Sequence, residues 1–313
     1  MSTITSPVWF ESERPMSLGV MVPIGEASHF GETPRFSDMV EITQAAKEAG
    51  FEAAWFADHF LFEDAADGST RGVWEAFTTM AGVAAAVPDI QIGSLVACTG
   101  FRNPGLIAKS AETIDEISDG RFILGLGAGW HQPEYDRFGY PFDYRVSRFE
   151  EAMQIIQPML REGTATLDGT FFQAKDAVNR PRGPRPQGAP IMVGSSGDRM
   201  LGIIARYADA WNTVWHSDAS KVAELLPKVD AACEAVGRDP QTLIRTAGGN
   251  IAIGEGLGRR PNAVTGSSEE LAQHLDSFRQ LGMKHFVVGL DGCTPATITS
   301  FGDVIRQFDA MVG

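Results

Sequence analysis

The sequence predicts one large α/β domain folded as a (β/α)8 TIM barrel, with insertions after strand four and before strand five. Three observations lead there. Short runs rich in Val, Ile and Phe alternate with longer segments of helical period. The pairing occurs eight times, about once every 39 residues in a chain of 313. The short runs are apolar at nearly every position, as parallel strands buried on both faces must be. Eight such units with their helices outside close into a barrel. An open doubly wound sheet with a second domain is the rival topology.

The first strand is "LGVMVPIG". Residues 1–16 before it form a polar, acidic arm expected to be flexible, so the barrel domain occupies 17–313. The helix "RFSDMVEITQAAKEAG" follows, with Met39, Ile42, Ala45, Ala46 and Ala49 on one face and Gly50 as its stop. "AAWFADH" and "VWEAFTTMAGVAAAV" make the second unit. "IQIGSLVAC" and "NPGLIAKSAETIDEISDG" make the third, with Pro104 where a first helical turn tolerates it. "RFILGLGAG" is the fourth strand, and Pro133 blocks an immediate helix, so the chain waits until "RVSRFEEAMQIIQPML". That delay leaves an inserted loop at 130–145. A second insertion, 164–190, contains a hairpin turning at Asp168-Gly169 and the stretch "NRPRGPRPQGAP". "PIMVGS", "DAWNTVW", "LIRTAGGNIAIG" and "HFVVGL", each with its helix, complete the eight.

Composition excludes several function classes. The chain carries 40 Asp and Glu against 26 Lys and Arg, a net charge of −14, so its field repels nucleic acid and anionic membrane surfaces. Cys98, Cys233 and Cys293 are odd in number and widely spaced, which suits a reducing cytoplasm and offers no thiolate cage for a metal. The opening "MSTITSPVWFESERPMS" lacks a basic region followed by an apolar one, so no secretory leader is expected. No apolar run approaches the ~20 residues of a membrane span.

The stretch "GLGAGWHQPEY", 125–135, begins like a dinucleotide-binding turn. Such a turn needs its glycines in the first unit, a helix opening on the last of them, and an acidic residue about 20 positions on. Here the glycines lie in the fourth unit and Gly125 falls inside the strand. In a barrel the carboxyl ends of the strands form the active face. Gly127 and Gly129 therefore either let the backbone approach something flat across that mouth or relieve crowding within the barrel.

Reading the other strand ends in the same way places Asp58-His59, Ala97-Cys98-Thr99, Gly129-Trp130-His131, Gly194-Ser195-Ser196-Gly197 and Trp215-His216 at the mouth. His59 and His131 are the catalytic candidates and His216 a weaker third, whereas His29, His274 and His285 look structural. The "GSSG" turn before a helix near Asp198 suits a phosphate, or serves as an ordinary cap through Ser195 or Ser196. No lysine stands at a strand end for Schiff-base chemistry, no His-x-His or His-Glu-x-x-His supplies a metal site, and "GSSG" lacks the spacing of a nucleophile elbow. An organic cofactor must then carry the reaction.

Three segments carry a resemblance: "AAKEAGFEAAWFADHF", "GFRNPGLIAKSAETIDEISDGRFILGLGAGWHQPEYDRFGYPF" and "IMVGSSGDRMLGIIARYADAWN". From Leu18 onward the chain resembles the bacterial luciferase-like superfamily of flavin and deazaflavin oxidoreductases, and is most similar to the branch that uses coenzyme F420. The resemblance implies that Asp58 and His59 lie beside the deazaflavin ring, with His59 as acid and base and His131 in reserve. It implies a non-proline cis peptide at Leu95-Val96 forming a bulge behind the ring, a ring contact from Cys98, backbone contacts from Ala128 and Gly129, and a phosphate grip from Gly194, Ser195, Ser196 and Gly197. It departs from the sugar-phosphate dehydrogenases of that superfamily, which place a glutamate where Trp130 stands and a tryptophan near Glu63. Trp130 and His131 suit instead an apolar, flat or aliphatic substrate, or else Trp130 simply anchors a lid.

The expectation is an F420-dependent oxidoreductase exchanging hydride between deazaflavin C5 and a small organic substrate, cytoplasmic and, as the resemblance implies, a homodimer. The alternatives are an FMN-dependent monooxygenase and a flavin-binding protein without turnover.

Overall fold

The computed structural model describes residues 9, 12–28, 31–64, 66–254, 260 and 262–313. Eight parallel strands form a closed barrel: β1 (Ser17–Met21), β2 (Ala53–Phe56), β3 (Gln91–Ser94), β4 (Phe122–Gly127), β5 (Ile191–Gly194), β6 (Ala210–Thr213), β7 (Ile244–Ile251) and β8 (His285–Leu290). Closure is made where Ser17 of β1 faces His285 of β8 and where Leu124 of β4 faces Ile191 of β5. Helices run between the strands on the outside: α1 (Phe36–Ala49), α2 (Ala76–Ala86), α3 (Pro104–Ile117), α4 (Arg145–Arg161), α5 (Asp198–Tyr207), α6 (Ser220–Ala235), α7 (Ser268–Gln280) and α8 (Pro295–Val312). This is the (β/α)8 architecture that the alternation predicts.

Two hydrophobic layers hold it. Outward-facing strand residues such as Val20, Leu124 and Val193 pack with the apolar faces of the helices. Inside, a smaller cluster is built on Trp55, Ile123, Met192 and Val287. Trp55 is the plug. Its indole fills the space that side chains on Gly19 and Gly93 would occupy: a Cβ added at either would stand 2.4 Å from an indole atom. Trp55 Nε1 donates to His285 Nε2 at 2.9 Å, and His285 Nδ1 meets Ser17 Oγ at 2.7 Å. Complete burial pushes the His285 imidazole down to about 3, so it stays neutral and accepts the indole proton. The structural role expected of His285 is the one it has. Truncating a side chain as large as Trp55 in such a place costs about 3–5 kcal/mol.

Several local features differ from the sequence reading. Residues 1–8 and 10–11 of the expected arm lie outside the described residues, as does His29. Near the arm's end, Met16 is buried and Arg14 is anchored by Asp309, Glu52 and the Gly50 carbonyl. The insertion after β4 is not all loop. A short helix, Gln132–Phe138, forms there with Pro133 in its first turn, where the missing N–H has no intrahelical partner to lose. The chain between β2 and α2 also folds a small hairpin, Leu61–Glu63 with Thr70–Gly72, around an Asp67-Gly68 turn that the sequence reading passed over.

The hairpin at Asp168-Gly169 is present as Thr164–Asp168 against Gln173–Val178. The arginine-rich return is clamped to α3 by Arg182 on Glu112 and Arg185 on Asp115. All three cysteines are buried and free, and no helix among the described residues is long and apolar enough to cross a membrane.

Candidate active site

A cavity of about 740 Å³ opens at the carboxyl ends of the strands. His59, Cys98, Trp130 and Ser195, from four different strand ends, all border it. This volume falls within the range of pockets that take a small organic ligand or cofactor.

Its floor is made by residues that follow the strands and lean back over them. The peptide bond between Leu95 and Val96 is cis, and it separates β3 from a two-residue strand, Ala97–Cys98. Val96 then lies over β4: a Cβ on Gly127 would meet its Cγ2 at 2.7 Å. On the far side Trp215 takes a φ of 67°, a left-handed conformation that bulky residues rarely adopt, and its indole covers Gly289 of β8. The glycines at these strand ends thus make room for protein. Gly129 does the same, because a Cβ there would stand 1.9 Å from the Tyr135 hydroxyl. Of the two roles weighed for Gly127 and Gly129, relief of crowding is the one visible, although Ala128 and Gly129 still border the cavity.

His59 is held by a residue that the sequence reading did not single out. Its Nδ1 lies 2.8 Å from Oε2 of Glu134, a carboxylate from the short helix in the insertion that is 1% exposed. The other oxygen of Glu134 accepts from the backbone N–H of Phe60 at 2.5 Å and of Leu61 at 3.2 Å. A carboxylate beside Nδ1 requires a proton there, which leaves Nε2 as the exchanging nitrogen. Among the described residues nothing hydrogen-bonds to Nε2. Phe62 and Trp130 pack on the ring at centroid distances of 4.3 and 5.7 Å.

His131, the reserve candidate, is set back from the site. It does not border the cavity, and its Nε2 accepts the backbone N–H of Glu63 at 3.1 Å. It stands behind His59, ring to ring at 6.4 Å. His216 is likewise set back, bonded to Thr213 Oγ1 at 2.7 Å, and burial holds its imidazole below the ordinary range.

Asp58 borders the cavity with its carboxylate already engaged. Arg102 grips it through both nitrogens at 2.6 and 2.9 Å, and the Cys98 N–H donates to it at 2.9 Å. Arg102 also reaches Glu75 and stacks on Phe77. Asp58 is therefore a brace that ties the end of β2 to the segment after Val96, rather than a free ligand. Cys98 Sγ lies 2.9 Å from the Tyr135 hydroxyl, and burial pushes its thiol up to about 11, which keeps it protonated.

At the opposite rim Ser195 and Ser196 border the cavity just before α5. Gly197, not a serine, occupies the N-cap position, and no side chain caps the helix. Its first N–H groups thus remain available beside two hydroxyls, an arrangement that favours an anion. Arg145, at the start of α4, brings a cation to the same cavity. No described residue forms an ion pair with it; its guanidinium lies on the Phe142 ring and donates to the Phe142 carbonyl. Among the described residues there is no cluster of acids, histidines and cysteines that could hold a metal ion.

The family model described as luciferase-like monooxygenase matches residues 16–260. The chain belongs to the luciferase-like monooxygenase family. Its curated relatives include the pyrimidine monooxygenase RutA of Caulobacter segnis, 31% identical over 246 residues, which are 73% of this chain and 68% of that one. RutA of Klebsiella pneumoniae is 30% identical over 72% of this chain and 64% of its own length, so the chain spans about two thirds of these relatives. Among solved structures, an F420-dependent secondary alcohol dehydrogenase in complex with an F420-acetone adduct superposes with a TM-score of 0.79 at 18% identity, covering 94% of this chain and 99% of that one. The coenzyme F420-dependent tetrahydromethanopterin reductase of Methanopyrus kandleri gives 0.76 at 16% identity, covering 95% and 100%. The monooxygenase RslO1 of Streptomyces bottropensis gives 0.75 at 18%, covering 94% and 98%. At such identities the likeness concerns the fold.

Within this luciferase-like barrel, the cavity gathers Asp58, His59, Leu95, Val96, Cys98 and Ala128 from the expected set. It also gathers Gly129, Gly194, Ser195 and Ser196, while Gly197 and His131 stand just outside. Sequence reasoning placed Trp215 at the mouth without giving it a role, and passed over Glu134, Arg102, Arg145 and Asn212. Glu134 alone left a signal, an acid in the first turn after a proline and next to a strand-end histidine.

Proposed function

We propose that this luciferase-like protein is an F420-dependent oxidoreductase that exchanges hydride between deazaflavin C5 and a small organic substrate, with His59 moving the accompanying proton. The observation that carries the reading is the His59–Glu134 pair, which engages Nδ1 and leaves Nε2 unengaged on a residue that borders a cavity whose other rim suits a phosphate. The residues fit such a cofactor. Val96, Met21 and Val214 offer an apolar surface for a planar ring, and Ser195, Ser196, Arg145 and the uncapped start of α5 suit an anionic tail.

When bound, the deazaflavin supplies a two-electron hydride store. The protein supplies the rest. Glu134 holds the proton on Nδ1, so that His59 gives or takes a proton at Nε2. Phe62 and Trp130 flank the imidazole with aromatic surface, which favours a flat or aliphatic apolar substrate bearing one polar group within reach of Nε2. A homodimer in the cytoplasm belongs to the same proposal.

The second reading is an FMN-dependent monooxygenase, supported by the names of the curated relatives. Titrating the purified protein separately with F420 and with FMN, and following fluorescence quenching, distinguishes the two. Binding of F420 with hydride exchange supports the proposal; tight binding of FMN alone overturns it.

A further inference from the structure

One acceptor that borders the cavity, on a nearly buried side chain, receives no hydrogen bond from the described residues. Asn212 faces the barrel interior from β6, in register with Gly194 of β5 and Thr246 of β7. It is 1% exposed and borders the cavity. Its Nδ2 donates to Thr246 Oγ1 at 2.8 Å, and that hydroxyl donates onward to the Trp211 carbonyl at 3.0 Å. The second bond sets the direction of the first. A hydroxyl whose proton goes to a carbonyl can only accept from the amide, so Asn212 offers its NH₂ to Thr246 and turns Oδ1 away.

Oδ1 points into the space above Gly194, where an added Cβ would lie 3.8 Å from it and 3.4 Å from Val96 Cγ1. Asn212 thus shares that space with the wall against which the ring is proposed to lie. Among the described residues no donor reaches Oδ1. The other deeply buried polar side chains of the cavity are engaged: Asp58 by Arg102, Glu134 by His59, and Thr213 by His216. An amide oxygen that opens only onto the cavity must find its donor there, so the site favours a ligand that brings an N–H.

We infer that Asn212 is a binding residue that takes the imide N–H on the pyrimidine edge of the ring. The inference rests on the cofactor reading above, and it holds for either cofactor, since flavin and deazaflavin both carry this N–H between two carbonyls. The sequence carries Asn212 only as the last residue of a segment shared with the family, within a strand that reads as structural.

The test compares the affinity of F420 and of FMN with that of their N3-methyl derivatives, by fluorescence quenching. The parent ring that binds should bind wild type about tenfold or more tightly than its methylated form, the scale of one buried hydrogen bond. Asn212→Ala should lose that preference, and Asn212→Asp, which keeps an acceptor at the position, should retain it. Equal affinity of parent and methylated ring for wild type overturns the assignment even if no variant folds. So does a preference that survives in Asn212→Ala. If neither parent ring binds wild type, the cofactor reading itself falls; if a parent binds without discrimination, only the role of Asn212 does.

Discussion

Replacing Asp58 with alanine separates a carboxylate that braces the cavity wall from one that touches the ring. The carboxylate is fully buried, grips Arg102 through two bonds of 2.6 and 2.9 Å, and receives the Cys98 N–H at 2.9 Å. Removing one partner of a buried ion pair costs about 3–5 kcal/mol, because the other charge is left uncompensated. Here Glu75 remains beside Arg102, but its side chain is 41% exposed and replaces only part of the lost interaction. The Cys98 N–H loses its acceptor in addition, so a net loss of about 3–4 kcal/mol is expected for Asp58→Ala. Urea unfolding followed by tryptophan fluorescence measures it, in parallel with titrations of F420 and FMN. Asp58→Asn, which can still accept from Cys98, should lose less stability and keep most of the ring affinity. If Asp58→Ala unfolds within about 1 kcal/mol of wild type while ring affinity collapses, the brace reasoning is wrong and Asp58 contacts the ring directly.

The remaining expectations concern catalysis, acid and crowding. His59→Ala should lose about 10²- to 10⁴-fold in turnover, and Glu134→Gln a smaller part of that, with ring affinity nearly unchanged in both; normal turnover in His59→Ala would move the proton step elsewhere. His285, held down to about 3 in the fold against about 6.5 in the unfolded chain, takes up a proton only on unfolding across that interval. Its contribution is therefore whole above pH 6.5 and drains away at about 1.4 kcal/mol per unit as pH falls toward 3. Urea midpoints from pH 7 to pH 5 should fall more steeply in wild type than in His285→Gln, and parallel slopes would contradict this. Gly125→Ala would place a methyl 1.9 Å from the Ser94 carbonyl oxygen, where backbone must move. A loss of about 3 kcal/mol or more is expected, and a melting temperature equal to wild type would refute the close approach.

The sequence made the barrel legible because burial on both faces leaves an apolar signature that recurs eight times and depends only on local composition. The strand-end rule then placed His59, Cys98, Trp130 and Ser195 around one opening, since that rule needs only the order of elements. What stayed hidden depends on contacts distant in sequence. Arg102 reaches back 44 residues to Asp58, and no spacing announces such a pair. Glu134 was missed because Pro133 was read as excluding a helix that it in fact begins. His59 and His131 looked alike at their strand ends. Only the fold shows that one borders the cavity while the other stands outside it and accepts a backbone N–H from Glu63. Trp55 read as one more strand residue until closure brought Gly19 and Gly93 around its indole.

The seating of Val96 and Trp215 on bare backbone divides labour between ladder and lining. The staves carry hydrogen bonds and packing, whereas at these two places the contour met by a guest is drawn by side chains borrowed from the connecting segments. Exchanging those two residues would reshape the vessel without touching a single rung, while any side chain grafted onto the bare seats beneath would unseat both the wall and whatever it cups.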